Sequence, residues 1–330
     1  MAVPLAEFLV AFIAAAAIVR VLAGAALARL VIDVPNDRSL HATPMPRTGG
    51  VGLLAGAAIA WALSVHTSLS LTAGLAAALA ATFLIEDVCG LPTAVRLALQ
   101  ASAAIAFVLS SPLGVSSSPL LVCVLVVGIV WGMNAYNFMD GANGLAGGMA
   151  VFGFGAYAVA AHMAGAADLA AAAAIVGGAA LGFLVWNFDP ARIFLGDAGS
   201  IPLGFLAAAV GMLGWQRSVW PFWFPLLVFF PFVFDATATL LRRILRGENV
   251  WSAHKSHYYQ RLVRMGWSHR RLALAAYVLM TAGVGSALLA CNAAPSIVTA
   301  LLSAWGVAYA LMAAVIDRRW SAYQARASQS

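Results

Sequence analysis

The 330-residue sequence predicts an all-α, polytopic integral membrane protein, with about 11 transmembrane helices in a single domain over residues 1–330. Three observations predict this class. Hydrophobic residues make up 63% of the chain and charged residues only 9%, with a mean hydropathy of +0.93, more apolar surface than one soluble core could hide. The apolar residues fall in stretches near the roughly 20 helical residues that about 30 Å of hydrocarbon requires. Every Asp and Glu except Glu7 and Asp168 lies at a stretch end or in a loop on one common side. Merely crossing a bilayer does not require Glu86, Asp87, Asp140, Asp197 and Asp235 to gather there, so that side is expected to carry a polar chemical site.

The stretches run approximately 5–29, 51–66, 69–86, 95–111, 118–138, 143–163, 167–187, 200–215, 220–241, 271–290 and 296–316. The first has no basic residue ahead of it and carries Glu7, so it reads as a retained helix rather than a cleaved signal peptide. Alternating the loops from a periplasmic N-terminus to a cytoplasmic C-terminus places all Lys and Arg except Arg20 and Arg217 on or facing the cytoplasmic side, as the positive-inside rule requires. The net charge of +6 is dispersed over these loops, which fits membrane lipid headgroups and phosphate substrates and excludes nucleic acid as a partner. Cys89, Cys123 and Cys291 lack metal-type spacing and read as free thiols. Small residues such as Gly52 with Gly56, and Gly177-Gly178-Ala179-Ala180, are expected where helix backbones pack closely.

The cytoplasmic segments hold the chemistry. In Asp33 to Gly52, three prolines and a Gly-Gly pair work against a regular helix, while Arg38, His41 and Arg47 offer phosphate-binding charge; a plain connecting loop is the competing reading. Glu86 and Asp87 sit side by side where the third stretch leaves hydrocarbon, and adjacent carboxylates call for a shared cation or a general-base role. Asn134, Asn137 and Asp140 are spaced to share a side of a continuing helix, before Gly141 and Gly144 let the chain turn. Asp197, between Gly196 and Gly199, puts a carboxylate beside the amides of a helix N-terminus, where an anion and Mg²⁺ can be held together; N-capping by Asp197 or Ser200 competes with that role. Arg242 to Leu262 concentrates cations with His254 and His257, three apart and so on one face of a helix; without a third close ligand, phosphate and sugar contacts are favoured over zinc.

These segments together resemble the polyprenyl-phosphate N-acetylhexosamine-1-phosphate transferases, the glycosyltransferase 4 family. The matching stretches are Asp33 to Gly52, Phe83 to Leu91, Asn134 to Gly148, Trp186 to Gly204 and Asp235 to Leu262, with NxxNFMDG and FxGDxGS the most specific. The AHKSHYYQRL stretch is similar to the branch that initiates bacterial O-antigen and exopolysaccharide.

The resemblance implies a Mg²⁺-dependent enzyme of the bacterial inner membrane, a possible homodimer, with its active site on the cytoplasmic face. It would take a UDP-N-acetylhexosamine and undecaprenyl phosphate, and yield the lipid diphosphate sugar and UMP. It implies Asp197 as the metal ligand, Asp87 as the acid that contacts or deprotonates the lipid phosphate, and Asp140 with Asn137 in the nucleotide-diphosphate pocket. Phe194 is similar in position to a uracil-stacking residue, Asn187 to a nucleoside-contacting amide, and His254, Lys255 and His257 to a sugar-phosphate loop. Two positions depart from the family pattern, Glu86 for the first aspartate of a pair and Asn143 for the second aspartate of DGxDG. Two rival readings are a lipid-linked sugar transporter, which would place ionisable groups at the bilayer midplane, and a CDP-alcohol phosphotransferase, whose DGxxAR pattern lacks its Arg here.

Overall fold

A computed structural model describes residues 4–24, 31–35, 40, 43–65, 69–111, 118–249, 252 and 254–327. Arg38 and His41 lie outside the described residues. Helices run α1 (Leu5–Gly24), α2 (Gly49–Leu63), α3 (Ser70–Cys89), α4 (Thr93–Ser110), α5 (Pro119–Phe138), α6 (Leu145–Met163), α7 (Ala167–Asn187), α8 (Asp197–Gln216), α9 (Trp223–Val228), α10 (Phe230–Leu245), α11 (Tyr258–Arg264), α12 (His269–Ala290) and α13 (Pro295–Ala327). The only sheet among the described residues is a two-residue antiparallel pair in the first loop, β1 (Ile32–Asp33) with β2 (Met45–Pro46).

Nine of these helices are long and apolar enough to cross a membrane. Two further expected stretches take other forms. The 51–66 stretch is the 15-residue helix α2. The 220–241 stretch is broken at Phe229 into α9 and α10, because Pro225 and Pro231 each remove an amide from the helical ladder. The Gly-Gly pair expected to oppose a helix instead begins α2, with both glycines buried. Helix α13 runs on to Ala327, and its charged end is tied down where Arg242 and Arg261 both reach Asp317, at 2.6 and 2.5 Å.

Helices α7 and α8 are the most enclosed of the long helices. Helix α7 packs between α1, α2 and α6, and α8 packs against α3, α5 and α2. Small residues make these approaches close: a Cβ on Gly178 or Gly182 would meet the α1 backbone at 2.3 and 2.5 Å, and one on Gly56 would meet Ala15 at 2.4 Å. In lipid, where tails are as apolar as Leu, such backbone proximity supplies the packing that water would otherwise drive. The start of α2 crosses the start of α8 at Gly50 and Gly199, where a Cβ on Gly50 would lie 2.3 Å from Gly199 Cα.

The consequence for function is at one end of the bundle. The C-terminal ends of α3, α5 and α7 and the N-terminal ends of α2, α4, α6, α8 and α12 meet there through contacts between their terminal residues.

Candidate active site

Three backbone hydrogen bonds zip the segment after α7 to the start of α2: Phe194 N–H to Pro46 O at 2.7 Å, Gly49 N–H to Phe194 O at 2.9 Å, and Gly50 N–H to Leu195 O at 2.8 Å. Gly196 then adopts φ +74°, in the left-handed region that favours glycine; an added Cβ would also lie 2.4 Å from Arg47 O. This turn sets Asp197 as the first residue of α8, so Asp197 is not the cap, and no side chain caps that helix. The carboxylate is left for other partners.

Those partners come from α4, α5 and the segment before α2. Asp197 Oδ1 accepts from Asn137 Nδ2 at 2.9 Å, and Arg96 Nη2 reaches Asp197 Oδ2 at 2.5 Å. Arg96 Nη1 also lies 3.3 Å from Glu86 Oε1. Arg47 Nη2 lies 2.7 Å from Asp87 Oδ1 and 3.6 Å from Asp197 Oδ1. Asp87 Oδ2 accepts the Ala198 amide at 3.2 Å. Glu86 and Asp87 therefore lie on the last turns of α3 itself, one helical step apart, and both turn toward the start of α8.

Oxygens of Glu86, Asp87 and Asp197 all lie within 4.8 Å of one another, among the described residues the one such group of metal-type ligands. The Asp87 side chain is wholly buried, yet its Oδ1, although at ion-pair distance from Arg47, has no aligned hydrogen bond. A buried acceptor left in that state, in an all-oxygen carboxylate set, fits a hard divalent cation such as Mg²⁺.

Beside the three carboxylates lies a cavity of about 260 Å³ lined by Arg47, Asn137, Asp140, Asn143, Phe194 and Asp197 among others. Asn187 also lines it, although its amide is used structurally: Oδ1 accepts Gly144 N–H and Nδ2 donates to Ile193 O, both at 2.9 Å. Asn143 Nδ2 donates to Asp189 Oδ1 at 2.9 Å. Burial pushes the Asp140 carboxyl well above the usual carboxylate range, and the negative charge of Asp197 pushes the same way. Of the expected Asn134–Asn137–Asp140 row, Asn137 and Asp140 reach the cavity, whereas Asn134 donates to Gln100 Oε1 at 2.6 Å, one turn deeper between α4 and α5.

The histidine segment is placed differently from the expected helical pair. His254 precedes the helix, and α11 begins only at Tyr258 because Asp235 accepts the amides of Tyr258 and Tyr259, both at 3.0 Å. His257 Nδ1 lies 3.1 Å from the same carboxylate, and the His257 ring is buried. Asp235 is thus a buried cap for α11; it neither joins the three-carboxylate group nor lines the cavity. His254, Lys255 and His257 do not line the cavity; Gln260, on the next turn, does. Burial and the charge of His257 push the His254 imidazole down to about 4, so it is neutral near pH 7. Replacing Asp235 with Ala leaves two buried amides and the Thr239 hydroxyl without their acceptor. A loss of about 3 kcal/mol or more is expected, read as a lower melting temperature in detergent, with Asp235→Asn falling between.

Sequence reasoning did not single out Arg96, Gln260 or His269. Arg96 had a usable signal, a lone cation at the second residue of the 95–111 apolar stretch, where an unpaired charge is expensive. Gln260 and His269 had none, since only the tertiary fold brings α11 and α12 to the cavity.

Residues 67–214 match the family model described as glycosyl transferase family 4. The chain is 34% identical over 268 residues to a probable undecaprenyl-phosphate N-acetylglucosaminyl 1-phosphate transferase of Bacillus subtilis, covering 75% of this chain and 74% of the relative. It is 33% identical over 297 residues to a decaprenyl-phosphate N-acetylglucosaminephosphotransferase of Mycobacterium leprae, covering 75% and 73%. A phospho-N-acetylmuramoyl-pentapeptide-transferase of Geobacillus thermodenitrificans is 36% identical over 152 residues, 45% of each chain. With the acid cluster formed from the same segments that carried the resemblance, the chain belongs to glycosyl transferase family 4, the polyprenyl-phosphate sugar-1-phosphate transferases.

Proposed function

We propose that the protein transfers N-acetylhexosamine-1-phosphate from a UDP-N-acetylhexosamine to undecaprenyl phosphate, releasing UMP, at the cytoplasmic face of a bacterial inner membrane. The observation that carries this reading is the meeting of Glu86, Asp87 and Asp197 within 4.8 Å, flanked by Arg47 and Arg96, at a cavity edged by Asn143, Asn187 and Phe194. Supply of the lipid-linked sugar to lipopolysaccharide, O-antigen or another surface glycan, and a homodimeric state, belong to the same proposal.

The reaction must bring two phosphorylated reactants together. Two unit charges about 4 Å apart repel by roughly 4 kcal/mol at an effective dielectric of 20, and here several charges meet. Arg47 and Arg96 supply part of the compensation. Glu86, Asp87 and Asp197 would hold Mg²⁺, which when bound supplies the remaining positive charge across the diphosphate.

A phosphate monoester has a second pKa of about 6, so the lipid phosphate is already largely a dianion at neutral pH and needs no strong base. Its oxygen forms a bond to the sugar-bearing β-phosphorus while the bond from that phosphorus to the bridging oxygen breaks, and UMP departs with the electron pair. Asp87, held by the Ala198 amide and Arg47 and absent from the cavity lining, is placed to orient charge rather than to attack. This favours direct displacement over an aspartyl-phosphate intermediate; trapping a covalent phospho-sugar enzyme contradicts it. Phe194 and the Asn143 turn face the nucleotide half of the donor.

A transporter of lipid-linked sugars is the other reading, and it would need ionisable groups near the midplane. The acids of this site instead sit at helix ends, which favours the enzyme. The deciding experiment incubates purified protein with undecaprenyl phosphate, Mg²⁺ and a panel of UDP-sugars and follows UMP. Release that depends on both lipid and metal is expected, with UDP-N-acetylglucosamine the first donor to try. Lipid-independent release, or none with any donor, counts against the reading.

A further inference from the structure

His269 is the first residue of α12, and its half-buried imidazole lines the cavity from a helix that contributes nothing to the acid cluster. Its Nδ1 accepts the Asn143 amide at 3.0 Å, and its Nε2 lies 3.3 Å from the carbonyl oxygen of Leu40 in the first loop. A neutral ring with the proton on Nε2 satisfies both contacts at once. The ring therefore bridges two segments that both line the cavity, Leu40 and the turn from Asp140 to Asn143.

The rest of that turn is held equally firmly. Gly144 N–H donates to Asn187 Oδ1 at 2.9 Å, Gly144 O accepts the Tyr277 hydroxyl at 2.7 Å, and Asn143 Nδ2 donates to Asp189 at 2.9 Å. Successive amides of the turn thus end on side chains from α12 and α7. Among these holding groups, His269 also reaches the described residue Leu40 of the first loop.

We propose that His269 is a positioning residue for donor recognition: it fixes the Asn143 peptide and the distance between that turn and Leu40, and so sets the mouth through which the nucleotide sugar enters. The role rests on reading the cavity as the donor site. It acts through Asn143 and makes no contact with the reacting phosphates, so its loss is felt in donor binding and not in the chemical step.

The test compares full-length wild type, His269→Leu and His269→Asn in detergent by two readouts, hydrogen exchange of the peptide carrying Asn143 and steady-state kinetics with UDP-N-acetylglucosamine. Losing one net hydrogen bond predicts about five- to tenfold faster exchange at Asn143 and a similar rise in donor KM for the Leu variant, with kcat within about twofold. Asn, whose amide offers both an acceptor and a donor, is expected to restore part of each. Unchanged exchange in His269→Leu overturns the bridge whatever the substrate is. Faster exchange with unchanged KM, a fall in kcat at constant KM, or an Asn variant no better than Leu overturns the positioning role. A wild type that does not turn over any UDP-sugar defeats the donor-site reading separately, with the exchange result still deciding the bridge.

Discussion

Asp197→Asn is expected to lower kcat by about 10²–10³-fold, roughly 2.7–4 kcal/mol of transition-state stabilisation, while the protein still folds. The asparagine keeps an oxygen for Arg96 or Asn137, but it removes one charge from the three-carboxylate set and halves the acceptors offered to a cation. Nucleotide affinity should change far less than kcat, because the proposed nucleotide contacts are Phe194 and the Asn143 turn rather than Asp197. Steady-state kinetics with a melting curve in the same detergent separates the two effects. Near-wild-type kcat would remove Asp197 from the metal site. Asp197→Ala is the less informative variant: the structure gives this carboxylate Arg47, Arg96 and Asn137, so truncation also removes one ion-pair partner from each of two guanidinium groups, leaving Arg47 with Asp87 and Arg96 with Glu86.

Gly50→Val is expected to damage fold and activity together. Its first added carbon would lie 2.3 Å from Gly199 Cα and 2.5 Å from Gly199 N, and both are backbone atoms that no rotamer change can move. Helices α2 and α8 must separate, at a cost of about 1–3 kcal/mol or more. Gly199 is two residues from Asp197, so the same displacement carries that carboxylate away from Glu86 and Asp87. Gly74→Ala is the control, because nothing lies within 4 Å of its added carbon. A lower melting temperature and lost turnover for Gly50→Val, with neither for Gly74→Ala, is the expected pair of results. A normal melting temperature for Gly50→Val contradicts the close crossing.

What could be read before the fold was known follows a physical rule. Hydrocarbon imposes the apolar stretches, and the expense of charge in lipid drives acids and bases to their ends, so the all-α membrane class and the gathering of the acids at helix ends are written in one-dimensional patterning. Glu86, Asp87, Asp140 and Asp197 were visible for that reason, and they do converge. Contacts across sequence distance were not visible. Asp235 reads like the other acids along the chain, yet its side chain turns to cap α11, and only the fold distinguishes the two uses of one carboxylate. His254 and His257 look like a helical pair by spacing, but that cap starts the helix one residue later. His269 and Gln260 carry no local signal for the cavity, since a single polar residue at a helix start is common; the partners of His269 lie more than a hundred residues away, and Gln260 locally only completes the start of α11.

The most direct test of the account is the binding of Mn²⁺, a paramagnetic stand-in for Mg²⁺, followed by electron paramagnetic resonance in the absence of substrate. One saturable, Mg²⁺-competed site per wild-type chain is predicted, lost in the Asp87→Asn, Asp197→Asn double variant while its melting curve stays cooperative. Undiminished Mn²⁺ binding by that folded variant would show that the three carboxylates at the ends of α3 and α8 are not the metal site, and the proposed chemistry would lose its centre.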